Sequence, residues 1–107
     1  MKIAIIGQGY VGSSIAEAAV STGHSVIGFD TNSAVISSLK ISGDYKGTTD
    51  AALIRDADIV VIAVPTPLDD ARKPDLSAVK AACKTMIENV KKPVLVINES
   101  TSYPGTL

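Results

Sequence analysis

The chain has 107 residues, 46% of them hydrophobic and 20% charged, with a formal net charge of -1. That length suits one compact domain, roughly 100 to 150 residues being typical, so residues 1–107 read as a single unit. A near-neutral chain of this make-up excludes wholesale disorder and lacks the basic footprint of a nucleic-acid binder. The longest apolar run, residues 59–64, is far short of the ~20 residues of a membrane helix, and Gly7 cuts the N-terminal run too early for a signal peptide. No membrane partner is expected, and the cytoplasm is the expected location. The single cysteine, Cys83, has no partner for an internal disulfide, which fits a reducing compartment.

Residues 3–6 form a continuous apolar run bounded by glycine, the pattern of a strand buried on both faces. Residues 10–22 predict a helix: Val11, Ile15, Ala18, Ala19 and Thr22 recur at three- and four-residue spacings, Glu17 faces away, and Gly23 ends it. Residues 25–29 read as a second strand leading to Asp30, then a short helix over 33–40 with Asn32 as its cap. The polar, glycine-containing stretch 41–49 leaves room for a short strand at 45–48, and 50–55 for a brief helix.

Residues 58–64 are rich in β-branched side chains and give the clearest strand, closed by Pro65-Thr66-Pro67 because proline brings no donor to a ladder. After a loop, 75–90 predict a long amphipathic helix. Val79, Ala82, Cys83, Met86, Ile87 and Val90 share one stripe; Lys80, Lys84, Glu88 and Lys91 share the other and should face water. Residues 94–97 make a last strand, and the tail ESTSYPGTL supplies hydroxyls at 100–102 and, at Pro104, a residue suited to open another helix. Strands alternating with helices imply parallel pairing through right-handed crossovers. The expected class is therefore α/β, a Rossmann-type doubly wound parallel sheet of five strands in the order 3-2-1-4-5.

Within this frame residues 7–12, GQGYVG, spell Gly-x-Gly-x-x-Gly between a strand and a helix. Alone the motif is weak, but that context is the one a pyrophosphate loop requires. Gly7 permits the tight turn, Gly9 lets a pyrophosphate approach the backbone, and Gly12 allows helix and strand to touch. The anion then meets the N–H groups of Gln8, Tyr10 and Val11 at the positive end of the helix. Asp30 follows Gly12 by 18 residues, close to the ~20 at which an acid receives the adenosine ribose hydroxyls. A 2′-phosphate there would meet a like charge, and Thr31, Asn32 and Ser33 offer no arginine, so NAD is favoured over NADP. The plainer role for Asp30 is to cap the next helix. Val64 to Pro67 and Glu99 to Thr101 lie at carboxyl ends of strands, where such sheets bind nucleotides. Ordinary strand termination and helix capping explain both segments as readily.

Together, GQGYVG, Asp30, VPTPLDDARKPDLSAV from Val64 and ESTSYPGT from Glu99 resemble the NAD-binding domain of the UDP-glucose/GDP-mannose dehydrogenase family over essentially the whole chain. The VPTP…PDLS and ESTSYPGT forms look most like the branch acting on UDP-N-acetylhexosamines. The resemblance implies a two-fold oxidation in which the C6 alcohol of a UDP-sugar becomes a carboxylate and two NAD molecules are reduced. In the family a cysteine captures the intermediate aldehyde as a thiohemiacetal, helped by a lysine, an asparagine and carboxylates, all in later segments. Cys83 does not match that cysteine: it lies mid-helix on the apolar stripe, where a thiol packs as a small hydrophobe. Thr101 matches the family's serine-threonine motif at the nicotinamide edge, where its hydroxyl positions the cofactor or a water, and Thr66 matches the VPTP threonine beside the cofactor. Val35 departs from the pattern, which often has a basic residue there touching the adenosine. The resemblance also implies a homo-oligomer, with its assembly surfaces mainly outside this stretch.

The site residues expected are therefore Gly7, Gln8, Gly9, Tyr10, Val11, Gly12, Asp30, Val64, Thr66 and Thr101 for the cofactor, with Thr101 also next to the chemistry, and no metal ligands. His24, at the start of a strand, should be a surface residue away from the crevice, and Arg72 and Lys73 either meet a nucleotide-sugar phosphate or belong to a solvated loop. Three functions follow: a cofactor domain that binds NAD without turnover, a stand-alone nucleotide-sensing module, or a domain whose glycine loop is only a turn. Without its companion segments the domain should expose an apolar face and self-associate.

Overall fold

The computed structural model describes residues 1–39, 43–66, 70–73, 75–99 and 101–102, with the backbone alone at 66 and 101–102. The expected helix opening at Pro104 lies outside the described residues, and the helix expected over 33–40 stops short at Ser37, with Ser38 as its C-cap. In chain order the elements are β1 (Lys2–Ile6), α1 (Tyr10–Ser21), β2 (Ser25–Phe29), α2 (Ser33–Ser37), β3 (Tyr45–Thr48), a 3-10 turn (Ala51–Ile54), β4 (Ile59–Ile62), β5 (Pro65–Thr66), α3 (Ser77–Asn89), β6 (Leu95–Asn98) and β7 (Thr101–Ser102). Five strands form one sheet in the order β3-β2-β1-β4-β6, and each neighbouring pair runs parallel. This is the expected doubly wound order, β6 being the fifth strand of the sheet.

Successive residues of β1 point to opposite faces, as pleating demands. Ala4 and Ile6 join Phe29, Val60 and Ile62 under the 3-10 turn and α3. Ile3 and Ile5 join Val26, Tyr45 and Val61 under α1. The central strands are buried on both faces, which is why they read as unbroken apolar runs.

Three features differ from the expectation. Pro65-Thr66 does not simply close a strand: β5 pairs in parallel with β7, Pro65 opposite Thr101 and Thr66 opposite Ser102. The offset equals that of Ile62 opposite Asn98, and Glu99 N–H donates to Ile62 C=O at 2.8 Å between the two pairings, so the short pair prolongs the β4–β6 ladder. Second, the buried face of α1 centres on Gly12 and Ala16, while Ala18 and Thr22 are exposed. On α3, Ala82 is buried but Ile87 is 70% exposed, although Lys80, Lys84, Glu88 and Lys91 face water as expected. Third, β6 is exposed throughout, with Leu95 at 60% and Val96 at 41%. It is the outer strand beyond β4, and none of the described helices covers its far side.

Candidate functional site

The turn after β1 is fixed by contacts that leave little choice of residue. Gly7 has φ +100°, and a Cβ there would stand 2.6 Å from the Ala63 carbonyl oxygen, so both the backbone conformation and the space require glycine. Its N–H donates to Phe29 C=O at 2.7 Å, while Ala63 N–H donates to Ile6 C=O at 2.8 Å. The ends of β1, β2 and β4 therefore meet at one point. Gly12 lies in the first turn of α1 where a Cβ would collide with the Gly7 carbonyl oxygen. Close approach of helix and loop is its role, as the spacing implied.

Helix α1 begins with Gly9 as a cap that offers no side-chain acceptor, and its first internal bond runs from Ser13 N–H to Gly9 C=O at 3.0 Å. The N–H groups of Tyr10 and Val11 thus have no carbonyl behind them in the helix, and together with the helix dipole they form a seat for an anion. Among the described residues nothing lies within 4 Å of the place a Gly9 Cβ would occupy. The approach to those N–H groups is open.

Asp30 faces this seat from the end of β2. Its Oδ2 accepts from Gln8 N–H at 2.9 Å and its Oδ1 from Asn32 N–H at 2.9 Å. The cap of α2 is Asn32, whose side chain accepts from Ala34 N–H at 3.0 Å. Asp30 is thus a half-buried carboxylate braced between the glycine loop and the following turn, with acceptor capacity left for hydroxyls. The Gln8 N–H, expected to meet the anion, is given to Asp30 instead, and the Gln8 side chain is turned into the core at 2% exposure. Gln8 contributes to the site through Asp30.

A cleft of about 520 Å³ opens along these groups, lined by Gly7, Gly9, Tyr10, Val11 and Asp30, by Val64 and Pro65 after β4, and by Ala78, Ala81 and Thr85 of α3. Tyr10 is 90% exposed at its mouth. Among the described residues lining it, Asp30 carries the charge and no lysine or arginine is present; Val35 is there in place of a base. The backbones of Thr66 and Thr101 enter the β5–β7 pair beyond Val64; their side chains lie outside the described residues. Arg72 and Lys73 are exposed and do not line the cleft, His24 sits half-buried at the opposite end of the sheet, and Cys83 packs against the core beneath α3. Among the described residues no cluster of three or more His, Cys, Asp or Glu side chains forms a metal site, and no helix is long and apolar enough to cross a membrane.

The sequence matches the model of the NAD binding domain of the UDP-glucose/GDP-mannose dehydrogenase family over residues 1–45 and 40–107. The chain belongs to this family. It is 37% identical to Protein CapL of Staphylococcus aureus over 97% of its own length and 28% of that protein. It is 34% identical to the UDP-N-acetyl-D-glucosamine 6-dehydrogenase of Pseudomonas aeruginosa over 98% of the chain and 28% of that enzyme. The solved UDP-D-ManNAc dehydrogenase of Pyrococcus horikoshii superposes with a TM-score of 0.86 at 33% identity, covering 99% of this chain and 30% of that one. The chain therefore spans under a third of the length of these relatives. NAD is the cofactor of the family domain, and the seat, the acid and the absence of a basic residue among the described lining fit it.

Proposed function

We propose that this chain is the cofactor-holding part of a cytoplasmic, homo-oligomeric nucleotide-sugar 6-dehydrogenase that oxidises the C6 alcohol of a UDP-N-acetylhexosamine to the carboxylate. The relatives named for such substrates support the substrate class. The observation that carries the reading is Asp30 braced across the glycine loop, facing an open helix N-terminus within one cleft.

When bound, NAD accepts the hydride leaving the sugar carbon. The residues of this chain bind and orient it. Tyr10 and Val11 N–H groups receive the pyrophosphate, and Asp30 receives the ribose hydroxyls through charge-assisted hydrogen bonds that a 2′-phosphate would turn into repulsion. Val64 would guide the dinucleotide toward the β5–β7 pair, where Thr66 and Thr101 would hold the nicotinamide end and the Thr101 hydroxyl would supply a hydrogen bond to the ring or a water. The nucleophile belongs to polypeptide outside these 107 residues, so this stretch alone binds NAD without turnover.

Thermal melts of the chain with NAD, with NADP and without nucleotide test the site. At 100 times its Kd a ligand adds about 2.7 kcal/mol, which for a domain of this size raises the Tm by roughly 10 °C or more. NAD should give that shift, NADP less, and Asp30→Ala should diminish the NAD response. Equal melts in all conditions would refute the nucleotide reading. For the whole enzyme, two NADH formed per UDP-N-acetylhexosamine consumed is the expected stoichiometry.

A further inference from the structure

We propose that Gln8 and Tyr45 form a positioning pair for the dinucleotide site, in which a tyrosine on β3 locks the glutamine amide that grips the glycine loop and, through it, Asp30. The inference rests on the NAD-binding reading above and assigns to it two residues outside the cleft lining.

The decisive unit is the peptide joining Gly7 and Gln8. Its carbonyl oxygen accepts from the Gln8 side-chain Nε2 at 3.0 Å, and its N–H donates to Asp30 Oδ2 at 2.9 Å. One peptide plane is held at both edges, by a buried amide on one side and by the ribose acid on the other. The same carbonyl oxygen is the atom against which Gly12 packs the start of α1. Rotation of this plane would displace Asp30 and the helix N-terminus together. A planar peptide cannot move one edge without the other.

The amide that holds the plane is itself fully engaged. Nε2 also donates to Ile5 C=O at 3.4 Å, and Oε1 accepts from the Tyr45 hydroxyl. Tyr45 is 4% exposed, so its hydroxyl and the amide satisfy each other away from water, as buried polar groups must. Gly28 on β2 makes the room: a Cβ there would stand 2.5 Å from Gln8 Cδ and 2.9 Å from Tyr45 Cε1. Positions 8, 28 and 45, on three neighbouring segments, are thus built around one contact. Simple core filling does not require a polar pair at this place; apolar side chains of the same size would fill it without any need for matching hydrogen bonds.

The test uses Tyr45→Phe, which keeps the ring and removes the hydroxyl, and the double variant Gln8→Met with Tyr45→Phe, which removes both polar partners. NAD affinity is measured by calorimetry at a temperature where each variant is folded, and Gln8 amide exchange is measured by NMR without nucleotide. Tyr45→Phe should lower the melting temperature because Gln8 Oε1 loses its partner. It should weaken NAD binding about ten-fold because the loosened Gly7–Gln8 plane presents Asp30 and the helix N-terminus in the binding arrangement less of the time, and should speed exchange at Gln8. The double variant should regain melting temperature, because no buried group is left unpaired, without regaining affinity. Unchanged NAD affinity or unchanged Gln8 exchange in Tyr45→Phe overturns the inference, as does affinity that returns in step with stability. Failure of the unsubstituted chain to bind NAD overturns the nucleotide reading itself, and this inference with it.

Discussion

Gly12 and Gly9 stand three residues apart in one motif, yet they should fail in opposite ways when given a methyl group. At an exposed helical position, glycine to alanine gains about 1 kcal/mol. At Gly12 the added Cβ would overlap the Gly7 carbonyl oxygen and stand 2.9 Å from its carbon, with Ala63 Cβ at 3.5 Å. The obstacle is backbone, and the Gln8 amide holds it from the other side. Over-packing that cannot relax costs about 2–4 kcal/mol, at and beyond the top of the common range, and outweighs the helix gain. A net loss of about 1–3 kcal/mol lowers the Tm by roughly 5–20 °C in a domain of this size. At Gly9 none of the described residues lies within 4 Å of the added Cβ, and φ -68° with ψ -162° is extended backbone open to alanine, so Gly9→Ala should move the Tm by only about 3 °C. Its methyl nevertheless occupies the approach to the anion seat, and NAD affinity should fall about ten-fold or more. Circular dichroism melts with and without NAD separate the two effects. A Gly12→Ala chain that melts at or above the unsubstituted one would refute the close-approach argument, as would a Gly9→Ala chain that loses as much stability as Gly12→Ala.

Ile54 is fully buried beneath the sheet, so Ile54→Ala should cost about 2–5 kcal/mol, read as a lower midpoint in urea with little change in slope. The Tyr45 hydroxyl is pushed up to about 12, first by burial and then by the negative charge of Glu17. Because the folded chain holds this proton more tightly than the unfolded one, the contribution is complete below about pH 10 and is lost as the pH rises through 12, up to roughly 2–3 kcal/mol; Tyr45→Phe should flatten that part of the stability profile. The exposed apolar outer strand should make these 107 residues self-associate, and Val96→Lys should shift sedimentation toward the monomer. A weight-average mass that Val96→Lys leaves unchanged would locate the contact elsewhere.

The sheet was legible because its inner strands are unbroken runs of Ile, Val and Ala, and because alternation with helices restricts the connections to one hand. Asp30, the proposed ribose acid, stood out as a candidate because it lies at the end of a recognisable strand at a suitable distance from the loop. The β5–β7 pair was not: Pro65 reads locally as a terminator, and its partner is a segment that only the β4–β6 register brings alongside. Nor was the part played by the Gln8 side chain legible, since the motif leaves that position free and only its N–H was expected at the site. A signal was present in Gly28, a glycine inside an otherwise apolar strand, which marks close approach by something else. Ile87 was placed on the apolar stripe of its helix because its side chain is apolar, but burial depends on a neighbour. Family relatives more than three times as long supply polypeptide that these residues lack.

The separation of 18 residues between Gly12 and Asp30 also has a structural cause. Ile6 lies opposite Phe29 in the β1–β2 register, and Gly7 N–H closes onto Phe29 C=O at 2.7 Å, so the residue after Phe29 must arrive beside Gln8. The intervening chain need only climb α1, turn at Gly23 and descend β2 in parallel. What the glycine motif and the distant acid share is therefore a hydrogen-bond register rather than a count of residues. A helix of another length could be tolerated wherever that register is kept. The Gly7–Gln8 peptide then makes the register chemically useful, because the N–H it turns toward β2 meets a carboxylate, while the N–H groups next along the chain, at the start of α1, remain open to an anion.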